Sequence, residues 1–100
     1  MNIQIINSPS KGTIEILIQR IRNEKIQKEL EEGKFNSIGL VQAQLADIIT
    51  ASDVASKASN VQVCEIMGVC PQHVTLIGIF GDNSSIETAI RVIKSKFNVK

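Results

Sequence analysis

The stretch SIGLVQAQLADIITASDVASKASNVQVCEIMGVCPQHVTLIGIF, residues 37–80, sets the architecture. It opens on residues 37–43 (SIGLVQA), an apolar run of strand length. It closes on residues 74–80 (VTLIGIF), a near-continuous apolar run that reads as a buried strand. Between them Leu45, Ile48, Ile49, Ser52 and Ala55 recur at helical spacing, which predicts a helix over residues 44–59. Its second half is almost all small (Ala51, Ser52, Ala55, Ser56, Ala58, Ser59), so its backbone can lie close on a sheet or a neighbouring chain. Residues 61–67 alternate and predict a strand, and residues 68–73 (GVCPQH) break into a loop on Gly and Pro. Strand, helix, strand, loop, strand is a crossover followed by a hairpin.

Downstream, Ser84 with Glu87 reads as a capping box, and Ile86, Ala89, Ile90, Ile93 and Phe97 come next on one helical face. Upstream, Asn23 is a plausible N-cap, Ile26 and Leu30 share a face, Glu24 and Lys28 can pair, and Gly33 suits the position after a helix end. These predict a short helix over residues 23–32. Ile14, Ile16 and Ile18 alternate with Thr13, Glu15, Leu17 and Gln19, and this period of two predicts a half-buried strand over residues 13–20. Residues 1–12 form an N-terminal β tail, strand-like over residues 3–6. The expected fold is α/β: one domain over residues 1–100, with a four-stranded sheet and helices on one face. The order is ferredoxin-like but begins at an unusual point of that circuit, as a circular permutant would.

Composition narrows the function. With 100 residues and a formal net charge of +1, the chain is one small domain without the basic excess of a nucleic-acid binder. Three Phe and no Trp or Tyr leave no base-stacking platform. The longest strongly apolar uncharged run, residues 74–81, is far short of the about 20 residues of a membrane span. The start, MNIQIINSPSK, lacks the pattern of a secretory signal, so a cytoplasmic location is expected. There is no phosphate-binding Gly loop, no H-E-x-x-H and a single His, which argues against an enzyme.

The run D-V-A-S-K-A-S-N-V, with Asp53, Lys57, Ala58, Asn60 and Val61, resembles the D-x-x-x-K-A-x-N-V run of bacterial microcompartment (BMC-domain) shell proteins. The strand, loop and strand after Val61, the turn Phe80-Gly81-Asp82, and a helix containing Ala89 are similar to that family's strand, pore loop, strand, Gly-Asp turn and helix. The resemblance covers residues 37–97. The N-terminal third is similar only to the family's permuted members, in which the strand usually found last comes first behind a short β tail, here residues 13–20. Gly68-Val69-Cys70-Pro71-Gln72 looks like the G-x-C-P-Q motif of shell proteins of glycyl-radical-enzyme microcompartments. The resemblance implies a structural hexamer tiling with other shell proteins, and an iron–sulfur cluster, of the 4Fe-4S type, held by Cys70 at the central pore. It implies a hexamer-edge role for Lys57, and for Arg20 as an arginine following the family's corresponding strand.

The residues themselves leave alternatives open. A four-iron cluster normally takes four thiolates, so one loop Cys demands convergence of several chains. An ordinary turn with a free thiol is the plain alternative, and Cys70 with His73 makes a C-x-x-H pair that suits zinc. Cys64, in mid-strand, reads as a small buried hydrophobe. Lys57 by itself is a cation suited to a helix C-terminus. A ferredoxin-like domain binding a small metabolite between protomers is the competing functional class.

Overall fold

The computed structural model describes residues 1–68 and 74–99. The element order is β1 (Asn2–Asn7), α1 (Lys11–Arg20), α2 (Glu24–Glu31), β2 (Ser37–Gln44), α3 (Leu45–Ala58), β3 (Gln62–Ile66), β4 (Val74–Gly81) and α4 (Asn83–Phe97). The strands form one antiparallel sheet in the order β1-β2-β4-β3. The four-stranded α/β sheet, the crossover helix, the hairpin strands and the helix after Asn23 are thus as the sequence predicts.

Several expectations are corrected. Residues 13–20 are not a strand but most of α1, and the fourth strand is β1, the supposed tail, paired along its whole length with β2 from Asn2 opposite Gln42 to Asn7 opposite Ser37. The run satisfies both periods. Ile14, Leu17, Ile18 and Ile21 also fall at helical spacing and pack into the core, while Ile16, central to the strand pattern, is left 60% exposed. Ser10 decides the outcome, because its side chain accepts from the Thr13 amide at 3.2 Å and starts a helix.

The helices lie on both faces of the sheet, not one. Neighbouring residues on a strand point to opposite faces, and both faces carry apolar rows. On one face Ile3, Val41 and Ile77 stand opposite one another across β1, β2 and β4, covered by Ile48, Ala51 and Ala55 of α3 and Ile86, Ala89, Ile90 and Ile93 of α4. On the other Ile38 and Phe80 form a row with Ile66 nearby, covered by Leu17 and Ile21 at the end of α1 and by Ile26 and Leu30 of α2. Each fully buried Ile contributes roughly 1.5–3 kcal/mol. Phe35 adds a tilted ring contact to Phe80, centroids 5.5 Å apart.

The connections are closed by local chemistry. After α2, the Gly33 amide donates to the Leu30 carbonyl and the Lys34 amide to the Glu29 carbonyl, with Gly33 at φ 70°. The cap of α4 is Asp82, whose Oδ1 accepts from the Ser85 amide at 2.8 Å. Ser84 therefore lies inside α4, and the expected capping box is replaced by an earlier start. The hydrogen bonds from Ser85 and Ser84 hold the Asp82 carboxyl below the usual carboxylate range.

Candidate functional site

Two regions carry the residues singled out in the sequence, and the sheet separates them. The first is the exit of β3 toward the hairpin loop. Of the predicted loop residues, Val69, Cys70, Pro71 and Gln72 lie outside the described residues, as does His73; Gly68 is described and exposed. The chain entering the loop is held by the end of α1. Ile21 bridges to Ile66, the Met67 amide donates to the Arg20 carbonyl at 2.7 Å, and Arg20 Nη1 donates to the Met67 carbonyl at 3.3 Å. Gln19, Arg20, Met67 and Gly68 line an open depression there. Arg20 thus ends a helix, not a strand, which removes the strand-based ground for placing it at an edge, and it sits at the root of the loop.

Cys64 is half-buried beside this region, packed with the cluster around Phe80 and Ile66. Burial pushes its thiol up to about 11, so at neutral pH it is protonated and poorly suited to bind a metal. Among the described residues, no three His, Cys, Asp or Glu side chains converge to hold a metal ion.

The second region is the outer face of α3, on the opposite side of the sheet. Lys57 lies in the last turn, where a cation suits the helix dipole, and its Nζ meets Asp53 Oδ2 at 2.8 Å. Leu45 and Ile49, which recur at helical spacing with Ile48 and Ala55, are exposed. The core contacts of α3 fall to Ile48, Ala51 and Ala55, the last two fully buried, so small residues do bring this helix close to the sheet and α4. Ser52 and Ile48 line a shallow groove with Leu45, Ile49, Val63 and Ile77 between α3 and the edge strand β3. The exposure of Leu45 and Ile49 was not readable from sequence, because helical spacing admits them to the apolar face.

No helix among the described residues is long and apolar enough to cross a membrane. The family model of the BMC domain matches residues 37–100, from β2 to the end of the chain. Among solved structures, the chain is similar to the GrpU microcompartment shell protein from Clostridiales bacterium 1_7_47FAA, at 34% identity and a TM-score of 0.71, over 98% of this chain and 93% of that one. It is similar to the GrpU microcompartment shell protein from Pectobacterium wasabiae at 30% identity and a TM-score of 0.70, over 93% of this chain and 99% of that one. The fused permuted hexameric shell protein MSM0275 from the RMM microcompartment shares the fold, with a TM-score of 0.75 at 15% identity, over 99% of this chain and 46% of that one. A comparison with curated proteins finds no match.

Proposed function

Because this chain belongs to the BMC-domain family of microcompartment shell proteins, we propose that it forms homo-hexamers that tile with other shell proteins into the facets of a glycyl-radical-type compartment. We further propose that its hairpin loop holds an iron–sulfur cluster. The chain is a structural protein of a bacterial microcompartment shell and not an enzyme. The family match over residues 37–100, joined to the loop sequence Gly68-Val69-Cys70-Pro71-Gln72, carries the finer reading.

The permuted order is part of the proposal. The family match begins at β2, and the strand beside β2 at the sheet edge is β1, which precedes it in the chain. β1, rather than residues 13–20, is then the element that the permutation moves to the front.

For the cluster, the donor chemistry points to Cys70. The chain has two cysteines, and burial keeps Cys64 protonated. The thiolate of Cys70 would supply a soft ligand to iron, and copies around a symmetry axis would supply the rest, since one chain has too few. A bound cluster would supply electron-transfer capacity or a plug at the pore.

Size-exclusion chromatography with light scattering tests the assembly, with a hexamer expected. A monomer or trimer at micromolar concentration overturns it and favours a metabolite-binding domain. Visible charge-transfer absorption of protein purified without oxygen tests the cluster, and its absence after anaerobic reconstitution overturns that part.

A further inference from the structure

Ser8, where the chain leaves β1 for α1, is one of two non-glycine residues with positive φ among the described residues, at 51°. The other, Asn98, ends α4, a position and a residue type that tolerate it. Ser8 has neither advantage. It is followed by Pro9, and a residue before proline prefers extended backbone. In the closed fold its amide donates to the Asn36 carbonyl at 2.8 Å, beside the start of β2. Local preference and the closed fold therefore disagree at this residue.

The strand that this turn holds in place is lightly packed. None of the six residues of β1 is buried, and Ile5 is 40% exposed. Ile3 packs against the α3 and α4 cluster only at its margin. The strand is kept by its backbone pairing to β2 and by a latch at its end, where the Ser37 hydroxyl donates to Asn7 Oδ1 at 2.8 Å. The connection itself borders an open hollow lined by Ile14, Leu30 and Phe35, so it has no packed core beneath it.

Backbone pairing and latch require the sequence of β1, not the particular chain that carries it. A second copy's β1 finds the same register on β2, from Asn2 opposite Gln42 to Asn7 opposite Ser37. The change in conformation falls on the hinge, and for Ser8 it runs toward the extended backbone that a residue before proline prefers. Short connections under strain favour exchange of an element between identical chains.

We propose that β1 is an exchangeable strand: it leaves β2 of its own chain and pairs in the same register with β2 of a second copy, while residues 8–10 straighten to span the two. Each vacated β2 edge is filled by another copy's β1, so no new unpaired edge is created. Neither the hexamer nor the cluster is needed for this exchange.

Split cysteine pairs test it in full-length chains that carry Cys64→Ser and Cys70→Ser. One chain has Asn2→Cys and the other Gln42→Cys, and the two are co-expressed and oxidised. Positions 2 and 42 are partners across β1 and β2, so an interchain disulfide forms when β1 of one chain lies on β2 of the other. The expected covalent dimer on a denaturing gel is at least about tenfold above that from Gln4→Cys with Gln42→Cys, a pair out of register and out of disulfide reach. Ser8→Gly takes left-handed backbone without strain and is expected to lower the dimer yield roughly fivefold. Both cysteines placed in one chain report the strand that has not exchanged. If they close within the chain while the split pair gives no dimer, β1 stays on its own β2 and the exchange is overturned. Equal dimer from the in-register and out-of-register pairs overturns it as well, since that reports collision between neighbours. Equal dimer from Ser8→Gly and the parent hinge overturns strain at Ser8 as the cause.

Discussion

Arg20 and Met67 are tied twice: the Met67 amide donates to the Arg20 carbonyl at 2.7 Å, and Arg20 Nη1 donates to the Met67 carbonyl at 3.3 Å. The end of α1 is thereby fastened to the exit of β3, immediately before Gly68. The first tie belongs to the backbone and survives any substitution of Arg20. Only the second depends on the guanidinium. Arg20→Ala is expected to cost about 0.5–1.5 kcal/mol, read as a small shift in the denaturant midpoint, while the Met67 amide stays protected in hydrogen exchange. Loss of that protection would show that the side chain, not the backbone, holds the junction.

Leu17→Ala should destabilise by about 2–5 kcal/mol, whereas Ile16→Ala should fall within about 0.5 kcal/mol. Leu17 is buried beneath α2 and the sheet, and Ile16 faces solvent. In a strand with Ile14, Ile16 and Ile18 inward, the order would be reversed. Chemical denaturation of the two variants separates the helix from the strand.

Gly78→Ala is expected to destabilise by roughly 1–3 kcal/mol. A Cβ at Gly78 would stand 2.6 Å from Phe80 Cζ and 2.9 Å from Ile66 Cδ1, both in the packed face under α1 and α2. The Phe80 ring lies across the strand because the glycine leaves room for it. A thermal melt equal to the parent's would mean that the ring has somewhere else to go.

Cys64 should resist alkylation near neutral pH and become reactive only as pH approaches about 11, where burial has moved its thiol. An unfolded thiol titrates near pH 8.5. Because the folded value is raised, the contribution of the neutral thiol to stability is complete below the unfolded value and is lost as pH rises through the folded one. Rate measurements with iodoacetamide on Cys70→Ser, across pH 7 to 11 (a range set roughly by these two values), check this directly. Fast modification at pH 7 would contradict the burial.

Cys70→Ser is expected to abolish iron and sulfide uptake on anaerobic reconstitution, because a hydroxyl is a poor substitute for a soft thiolate. Cys64→Ser should retain both and lose some stability, by placing a hydroxyl among apolar side chains. Iron retained in Cys70→Ser, or lost only in Cys64→Ser, would show that Cys70 is not the ligand.

The sequence carried most of the fold. Helical spacing located the crossover helix α3, alternation located β3, and apolar runs of strand length bounded by Gly and Pro breaks located β2 and β4. Lys57, Asp53 and the residues 68–72 were visible as a pattern of residue types. Helices were expected on one face only, and the second covered face, where Ile38 and Phe80 pack against α1 and α2, became evident in the fold.

What the sequence alone could not decide was any choice in which two local solutions were nearly equal. Residues 13–20 fit both a strand and a helix, and the tie was broken by the Ser10 cap and by the space over Ile38, Phe80 and Ile66 that only a helix fills. Leu45 and Ile49 qualify for the core by spacing, yet they are exposed because Ile48, Ala51 and Ala55 take the contacts with the sheet and α4. Composition and period fix what a segment can be, because they report local preference, but which neighbour it meets is set by competition for a limited buried surface, and that competition exists only in the assembled fold.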